Sequence, residues 1–247
     1  MKNKKIIVFD KDDTITEAKT EIEPEMAKIF SDLLNKYKVA IITGWDFSNI
    51  YNQIVKLLPI YSKLENLYLF PTIGTCMYYF SNWKWIEKYS ENLSKEEADK
   101  ITFVLNRAID KLDLRPKKIW WEIVENRWSQ ITYSALWQKA PLKEKQKFDP
   151  DKKIRQKLVN YIKNDLCDYS IWIWWTTSID ITRKGLNKAY WIKKMLENLD
   201  LKKEDILFIW DALFPWWNDY PVKEFGVDCI KVNNLKDTIK VIKDLLY

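Results

Sequence analysis

Three carboxylates crowd the run Phe9-Asp10-Lys11-Asp12-Asp13-Thr14. An aspartate delivered by the end of a strand can attack phosphorus and form an acyl phosphate. A second carboxylate two residues later can exchange a proton with the substrate oxygen. The chain contains no histidine, so the usual side-chain proton shuttle is missing and a carboxylate has to take that role in any enzyme built this way. Taken alone, the motif could equally be a solvated acidic turn. Three other positions add to it. Thr43 offers a hydroxyl to a transferring phosphoryl oxygen, Lys188 a positive charge near the growing negative one, and Asp211 with Asn218 and Asp219 offers hard oxygen ligands suited to Mg²⁺. A strand terminus, a helix-surface lysine and a solvated loop would explain these singly. Together, each falls at the carboxyl end of a predicted strand or at the start of the next helix.

The elements that would position them are legible. Residues 4–10, KKIIVFD, form a continuous apolar run ending in an acid, the pattern of a buried parallel strand. Active sites of open α/β sheets lie at such carboxyl ends. Pro24 opens a helix to about Lys36, Val39 to Thr43 repeats the buried-strand pattern, and Asp46 can cap a helix through about Leu58. Ser94-Lys95-Glu96-Glu97 is a capping box for a helix through about Leu112. Strand-like runs follow at 119–125 and 130–136. Asp149-Pro150 starts a helix with Ile154, Leu158 and Ile162 on one face, and a β run covers 169–181. After Arg183 the first pattern resumes: a helix with Ala189, Ile192, Met195, Leu196 and Leu199, a strand Ile206 to Ile209 that delivers Asp211, a strand near Cys229 to Val232, and a final helix from Leu235. The expectation is a parallel-sheet α/β core, residues 1–89 and 183–247, interrupted by an α/β insertion over 90–182.

Composition narrows the class. The net charge is +6 with 31% charged residues, but the lysines are dispersed, which reads as solvated surface and, at most, a preference for anionic substrates. No nucleic-acid-binding motif is present. Cys76, Cys167 and Cys229 are odd in number and far apart, which fits a reducing compartment. No apolar stretch approaches the roughly 18 residues of a membrane span. A soluble, cytoplasmic protein without a membrane partner is expected.

Glycine is oddly scarce. There are 4 glycines and 14 tryptophans, whereas average usage predicts about 17 glycines in this length. The tryptophans fall where chains turn or meet ligands: Trp45 after Thr43-Gly44, Trp174-Trp175, Trp210 before Asp211, and Trp216-Trp217 before Asn218-Asp219. Paired indoles make poor turns, while paired glycines supply positive φ and close backbone approach. Most tryptophans therefore stand where glycine is expected, as would follow from a genome that reads the codon UGA as glycine. The competing reading is a protein truly rich in tryptophan. Intact mass of the protein from its own organism is expected to come out far lighter than this sequence requires.

With those motifs in place, FDKDDTIT, ITGW, LNKAY and DILFIWDALFPWWNDYPVK resemble the four signatures of the haloacid-dehalogenase superfamily. Read with glycine for tryptophan, IGDALFPGGNDYPVK, GGTTSIDITRKGLNKAYGI and ENRGSQITYSALGQ are similar to the phosphomannomutase family and its bacterial relatives of cap type IIB, over nearly the whole chain. The resemblance implies a Rossmann-like core with an inserted α/β cap. Asp10 would be the nucleophile, Asp12 the general acid/base, and Thr43 and Lys188 the phosphate contacts. Mg²⁺ would lie among Asp10, the Asp12 carbonyl and Asp211, with Asp219 in support.

The family also implies sugar-phosphate contacts from the cap: Arg127, Ser178 and Asp180, with Lys19 near the entrance where the mutases carry arginine. A cationic fork suits a distal phosphate, and hydroxyl and carboxylate groups suit a sugar. Pairing of two copies through the cap is the expected assembly. Two departures stand out. Gln138 replaces a phosphate-binding arginine, which weakens the hold on a second phosphate and favours a phosphatase over a mutase. Asp13 replaces the usual glycine, a change aspartate tolerates because it enters left-handed backbone more readily than most residues. A phosphoacceptor receiver domain is disfavoured by the inserted cap and by the acidic loop from Asp211 to Asp219. A sugar-phosphate binder without turnover would require the tryptophans to be genuine.

Overall fold

A computed structural model describes residues 4–115, 122–136, 141–173, 177–186, 188–211 and 225–247. The chain divides into two compact units, one of residues 1–90 and 187–247 and the other of residues 91–186.

The first unit is a three-layer α/β/α domain. Its first strand β1 (Ile6–Asp10) is paired in parallel on one side with β2 (Lys38–Ile42) and on the other with β10 (Ile206–Trp210). The sheet continues outward from β10 to β11 (Asp228–Lys231) and from β2 to β3 (Leu67–Phe70), both parallel. An antiparallel pair, β4 (Cys76–Ser81) and β5 (Lys84–Ser90), completes the seven strands on the β3 side. Alternation along β1 explains the layers. Ile7 and Phe9 pack with Met26, Phe30, Leu33 and Leu34 of helix α1 (Pro24–Lys36), whereas Ile6 and Val8 pack with Ile192 and Met195 of the helix Lys188–Leu199. Each face of the strand thus has its own core, and all four side chains are fully buried. Helix α1 begins where Pro24 fixes φ, with Glu25 in its first turn. The short helix α2 (Phe47–Gln53) begins where the Asp46 carboxylate accepts the Asn49 N–H at 2.8 Å, the cap expected from the sequence.

The β4–β5 connection contains only Asn82 and Trp83, between the paired residues Ser81 and Lys84. Their φ values are +50° and +62°. Two-residue hairpins of type I′ need positive φ at both central positions, which is why Asn-Gly is the preferred pair. Here the second position is a tryptophan with its ring almost wholly in water. A non-glycine residue in left-handed backbone costs about 1–2 kcal/mol. Trp83→Gly is therefore expected to stabilise the protein by about 1 kcal/mol and raise Tm by roughly 2–4 °C, read by thermal unfolding.

The second unit is a four-stranded antiparallel sheet, ordered β6 (Val124–Asn126), β7 (Gln130–Ser134), β9 (Ser178–Arg183), β8 (Tyr169–Ile173). Helices α3 (Lys95–Lys111) and α5 (Lys153–Ile162) cover one face, where Ile101, Leu105, Leu158 and Ile162 meet Ile131, Tyr133, Ile179 and Ile181. The single β run expected over 169–181 is two paired strands, and the run expected over 119–125 contributes only the short β6. The helix Leu142–Phe148 (α4) had no counterpart in the sequence reading. Residues 116–121 lie outside the described residues.

Glu97 ties this unit together. Its carboxylate accepts the Ser94 N–H at 2.7 Å, closing the predicted capping box, and the Arg183 Nε at 3.0 Å. The Arg183 hydrogen bonds hold the carboxyl at about 2, against an ordinary 4.5. The unfolded chain therefore takes up a proton here between pH 4.5 and 2 that the folded chain does not. The pair's contribution is complete above that window and is lost as pH falls through it. Urea midpoints measured across this range are expected to fall less steeply for Glu97→Gln than for the parent.

Candidate functional site

The carboxyl edge of the parallel sheet gathers the predicted groups. Asp10 ends β1, Thr43 follows β2, and Asp211 follows β10. Because Phe9 pairs with Ile209 and Asp10 with Ile42, the three residues sit on adjacent strands at nearly the same height. Neighbouring strands are roughly 4.8 Å apart, so the three strand ends lie side by side along this edge. Asp10 and Asp211 are half-buried, and Thr43 is buried with its N–H bonded to the Phe70 carbonyl at 3.2 Å.

Asp12 is positioned by a tight loop. The Lys11 carbonyl accepts the Ile15 N–H at 2.9 Å and the Thr16 N–H at 3.2 Å, and the Asp13 N–H bonds the Thr16 carbonyl at 2.7 Å. Asp13 has φ +59°, the left-handed conformation expected of it. Its carboxylate accepts the Ala18 N–H at 3.1 Å, and burial is the leading cause that pushes its pKa above the ordinary value. The Asp12 carboxylate is held at both oxygens. Oδ1 receives the Lys11 ammonium at 2.8 Å and the Lys19 backbone N–H at 3.1 Å; Oδ2 receives the Trp45 indole N–H at 2.8 Å. Lys19, expected at the entrance for its charge, also serves Asp12 through its backbone, at φ +67°.

Lys11 is the functional neighbour that sequence reasoning missed. It is fully buried, and its ammonium reaches both Asp12 and the Thr16 hydroxyl, the latter at 3.2 Å. A buried ammonium needs such partners. The only signal was its place among three acids.

In the second unit, the sheet face turned away from the helices carries Gln130, Thr132, Ser134, Ser178, Asp180 and Thr182, because successive residues alternate between faces. The fold brings Ser178 and Asp180 together on this face. Asp180 is buried and accepts the Thr132 hydroxyl at 2.7 Å. Arg127 lies at the β6–β7 turn, where its N–H bonds the Gln130 carbonyl, and its guanidinium meets Glu125 at 3.2 Å. Four residues of strand, about 13 Å, separate that end of the sheet from Ser178. Lys188 is the first residue of α6 (Lys188–Leu199), but its side chain lies outside the described residues, as do Gln138, Asn218 and Asp219 entirely.

The donor set at the sheet edge fits a hard divalent cation. Asp10 and Asp211 supply two carboxylates from adjacent strands, and Mg²⁺ needs only one or two while keeping several waters. Among the described residues no group of three or more His, Cys, Asp or Glu side chains forms a metal nest, and among them no helix is long and apolar enough to cross a membrane.

Comparison with known proteins gives the family and the fold. Residues 26–247 match the family described as eukaryotic phosphomannomutase. The phosphomannomutase of Encephalitozoon cuniculi is 26% identical over 98% of this chain and 94% of its own length. Phosphomannomutase 2 of Dictyostelium discoideum is 25% identical over 98% of this chain and 96% of its own. Among solved structures, N-terminally truncated Plasmodium falciparum IMP-nucleotidase shares the fold with a TM-score of 0.69 and 14% identity, over 99% of this chain and 70% of that one. A fold of this order and a match spanning nine-tenths of the sequence place the chain in the eukaryotic phosphomannomutase family, among the phosphotransfer enzymes of the haloacid-dehalogenase superfamily.

Proposed function

We propose that this chain transfers the phosphoryl group of a sugar phosphate through an aspartyl-phosphate on Asp10, with water as the acceptor. The observation that carries the reading is the set Asp10, Thr43 and Asp211 on three adjacent strand ends, with Asp12 fixed two residues beyond the nucleophile. The Asp10 carboxylate attacks phosphorus in line. Asp12 gives its proton to the sugar oxygen as the P–O bond breaks, then takes a proton from the attacking water as the acyl phosphate is cleaved. Thr43 and Lys188 hold the phosphoryl oxygens in this scheme. Mg²⁺ bound by Asp10, the Asp12 carbonyl and Asp211, with Asp219 in support, would neutralise charge on the transferring group.

The relatives' name supports a second reading, in which another hydroxyl of the same sugar accepts the phosphoryl group and mannose 6-phosphate and mannose 1-phosphate are interconverted. Gln138, where the mutases carry an arginine, argues for water. Arg127, Ser178 and Asp180 are proposed as the cap's sugar-phosphate contacts in both cases. Incubating the chain, and a version with glycine at the tryptophan positions, with Mg²⁺ and a panel of hexose phosphates separates the two. Free phosphate without isomerised product supports the hydrolase. Isomerisation without phosphate release overturns it in favour of the mutase.

A further inference from the structure

We infer that Trp45 is a positioning residue that holds Asp12 in a closed arrangement, and that a small residue at 45 opens the site to the phosphate ester. The inference rests on the reading of Asp12 as acid/base. The Trp45 N–H bonds the Thr43 hydroxyl at 3.3 Å and its carbonyl accepts the Thr72 N–H at 2.8 Å, so the base of the side chain is fixed beside the phosphate contact. From there the ring reaches Asp12, where Nε1–H bonds Oδ2 at 2.8 Å, and its centroid lies 6.0 Å from the Lys11 ammonium. The indole therefore spans the space between Thr43 and Asp12. In the proposed mechanism the phosphate ester has to reach both side chains at once, Thr43 through a phosphoryl oxygen and Asp12 through the sugar oxygen.

Asp12 has no easy alternative. Oδ1 already receives Lys11 and Lys19, and proton exchange with a sugar oxygen needs a heavy-atom approach of about 2.6–3.2 Å. An indole N–H is a donor only, so it cannot relay a proton between Asp12 and the substrate.

Other tryptophans show the same mismatch between a large ring and a place that asks for none. Trp83 and Trp128 have φ of +62° and +67° on exposed turns. Trp191 is buried so tightly that a Cβ built on Gly74 would lie 2.2 Å from its own Cβ. Among the described residues the buried indole N–H groups of Trp191 and Trp210 have no hydrogen-bond partner, each a cost of about 1–3 kcal/mol that glycine would not carry. Position 45 is where that mismatch meets the chemistry.

The test compares the parent with Trp45→Gly, Trp45→Ala and Trp45→Phe, each checked for folding by circular dichroism. Mannose 6-phosphate binding is measured by calorimetry and Mg²⁺-dependent phosphate release by kinetics. Tenfold or greater gains in affinity and in kcat/KM are expected for Gly and Ala. Phe keeps the bulk and is expected to gain little. Folded Gly and Ala variants that bind and turn over no better than the parent overturn the inference. Asp10→Asn in the Trp45→Gly background separates the two levels: tighter binding with turnover indifferent to Asp10 upholds the role of Trp45 and refutes the aspartyl-phosphate mechanism.

Discussion

Asp10→Asn is expected to lower phosphate release from any sugar phosphate the chain turns over by about four orders of magnitude in kcat. The amide has nearly the shape of the carboxylate but cannot form an acyl phosphate, so the loss falls on the chemical step. The strand should survive the change, because its stability resides in Ile6, Ile7, Val8 and Phe9, all fully buried, and in backbone pairing on both sides. Unchanged melting with turnover gone is the expected pair of results. Unchanged turnover would remove Asp10 from the reaction and with it the whole mechanism.

The second large effect belongs to the inserted unit. Arg155 and Asp149 form an ion pair at 2.8 Å with both side chains almost fully buried. The Asp149 carboxylate also accepts the Ile154 N–H at 3.0 Å and the Arg155 N–H at 3.1 Å, so it caps α5 from the residue that the sequence marked as its start. Its charge reaches further: after burial, it is the next cause that pushes the Tyr133 phenol up to about 12. Asp149→Ala would take the carboxylate away from a buried guanidinium, which keeps its Nη2–H bond to the residue 149 carbonyl at 2.7 Å, and would uncap the helix at once. Breaking one partner of such a pair costs about 3–5 kcal/mol, while replacing both with apolar side chains of similar volume is often near neutral. Urea unfolding is expected to show that loss for Asp149→Ala and recovery of most of it in the double variant Asp149→Leu with Arg155→Met. A loss under 1 kcal/mol for the single variant would mean the pair carries no such burden.

What the sequence made legible follows from how directly each feature is encoded. A strand buried on both faces is written as an unbroken apolar run, and KKIIVFD could be read with its terminal carboxylate in place. Side-chain caps use few residue types at fixed spacing, so Asp46 and the Ser94–Glu97 box were found and are present. The strands from Leu67 to Ser90 were missed for an equally physical reason. Aromatic residues crowd both faces of β4 and β5, which blurs the alternation, and the turn signal between them reads Asn-Trp where Asn-Gly would have announced a hairpin. The same masking made one β run of 169–181, where Trp174-Trp175 gives no turn signal. Asp10, Thr43 and Asp211 could be picked out as candidates because they stand at or just past strand ends, and Asp12 because it lies two residues beyond one. The grip of Lys11 and Trp45 on Asp12 was not, because it depends on side chains folding back across a loop, which spacing does not reveal.

The central position of β1 has a consequence for how the chain is made. Its partner on one side, β2, leaves the ribosome soon after it, but β10 on the other side is synthesised only after the entire inserted unit. Until then the nascent domain presents an apolar strand with one row of backbone donors and acceptors unpaired, the kind of edge that recruits foreign strands. Asp10 is thus made before the inserted unit, yet remains without Asp211 beside it until that unit has been synthesised, and the half-made sheet has every reason to be shielded in the interval.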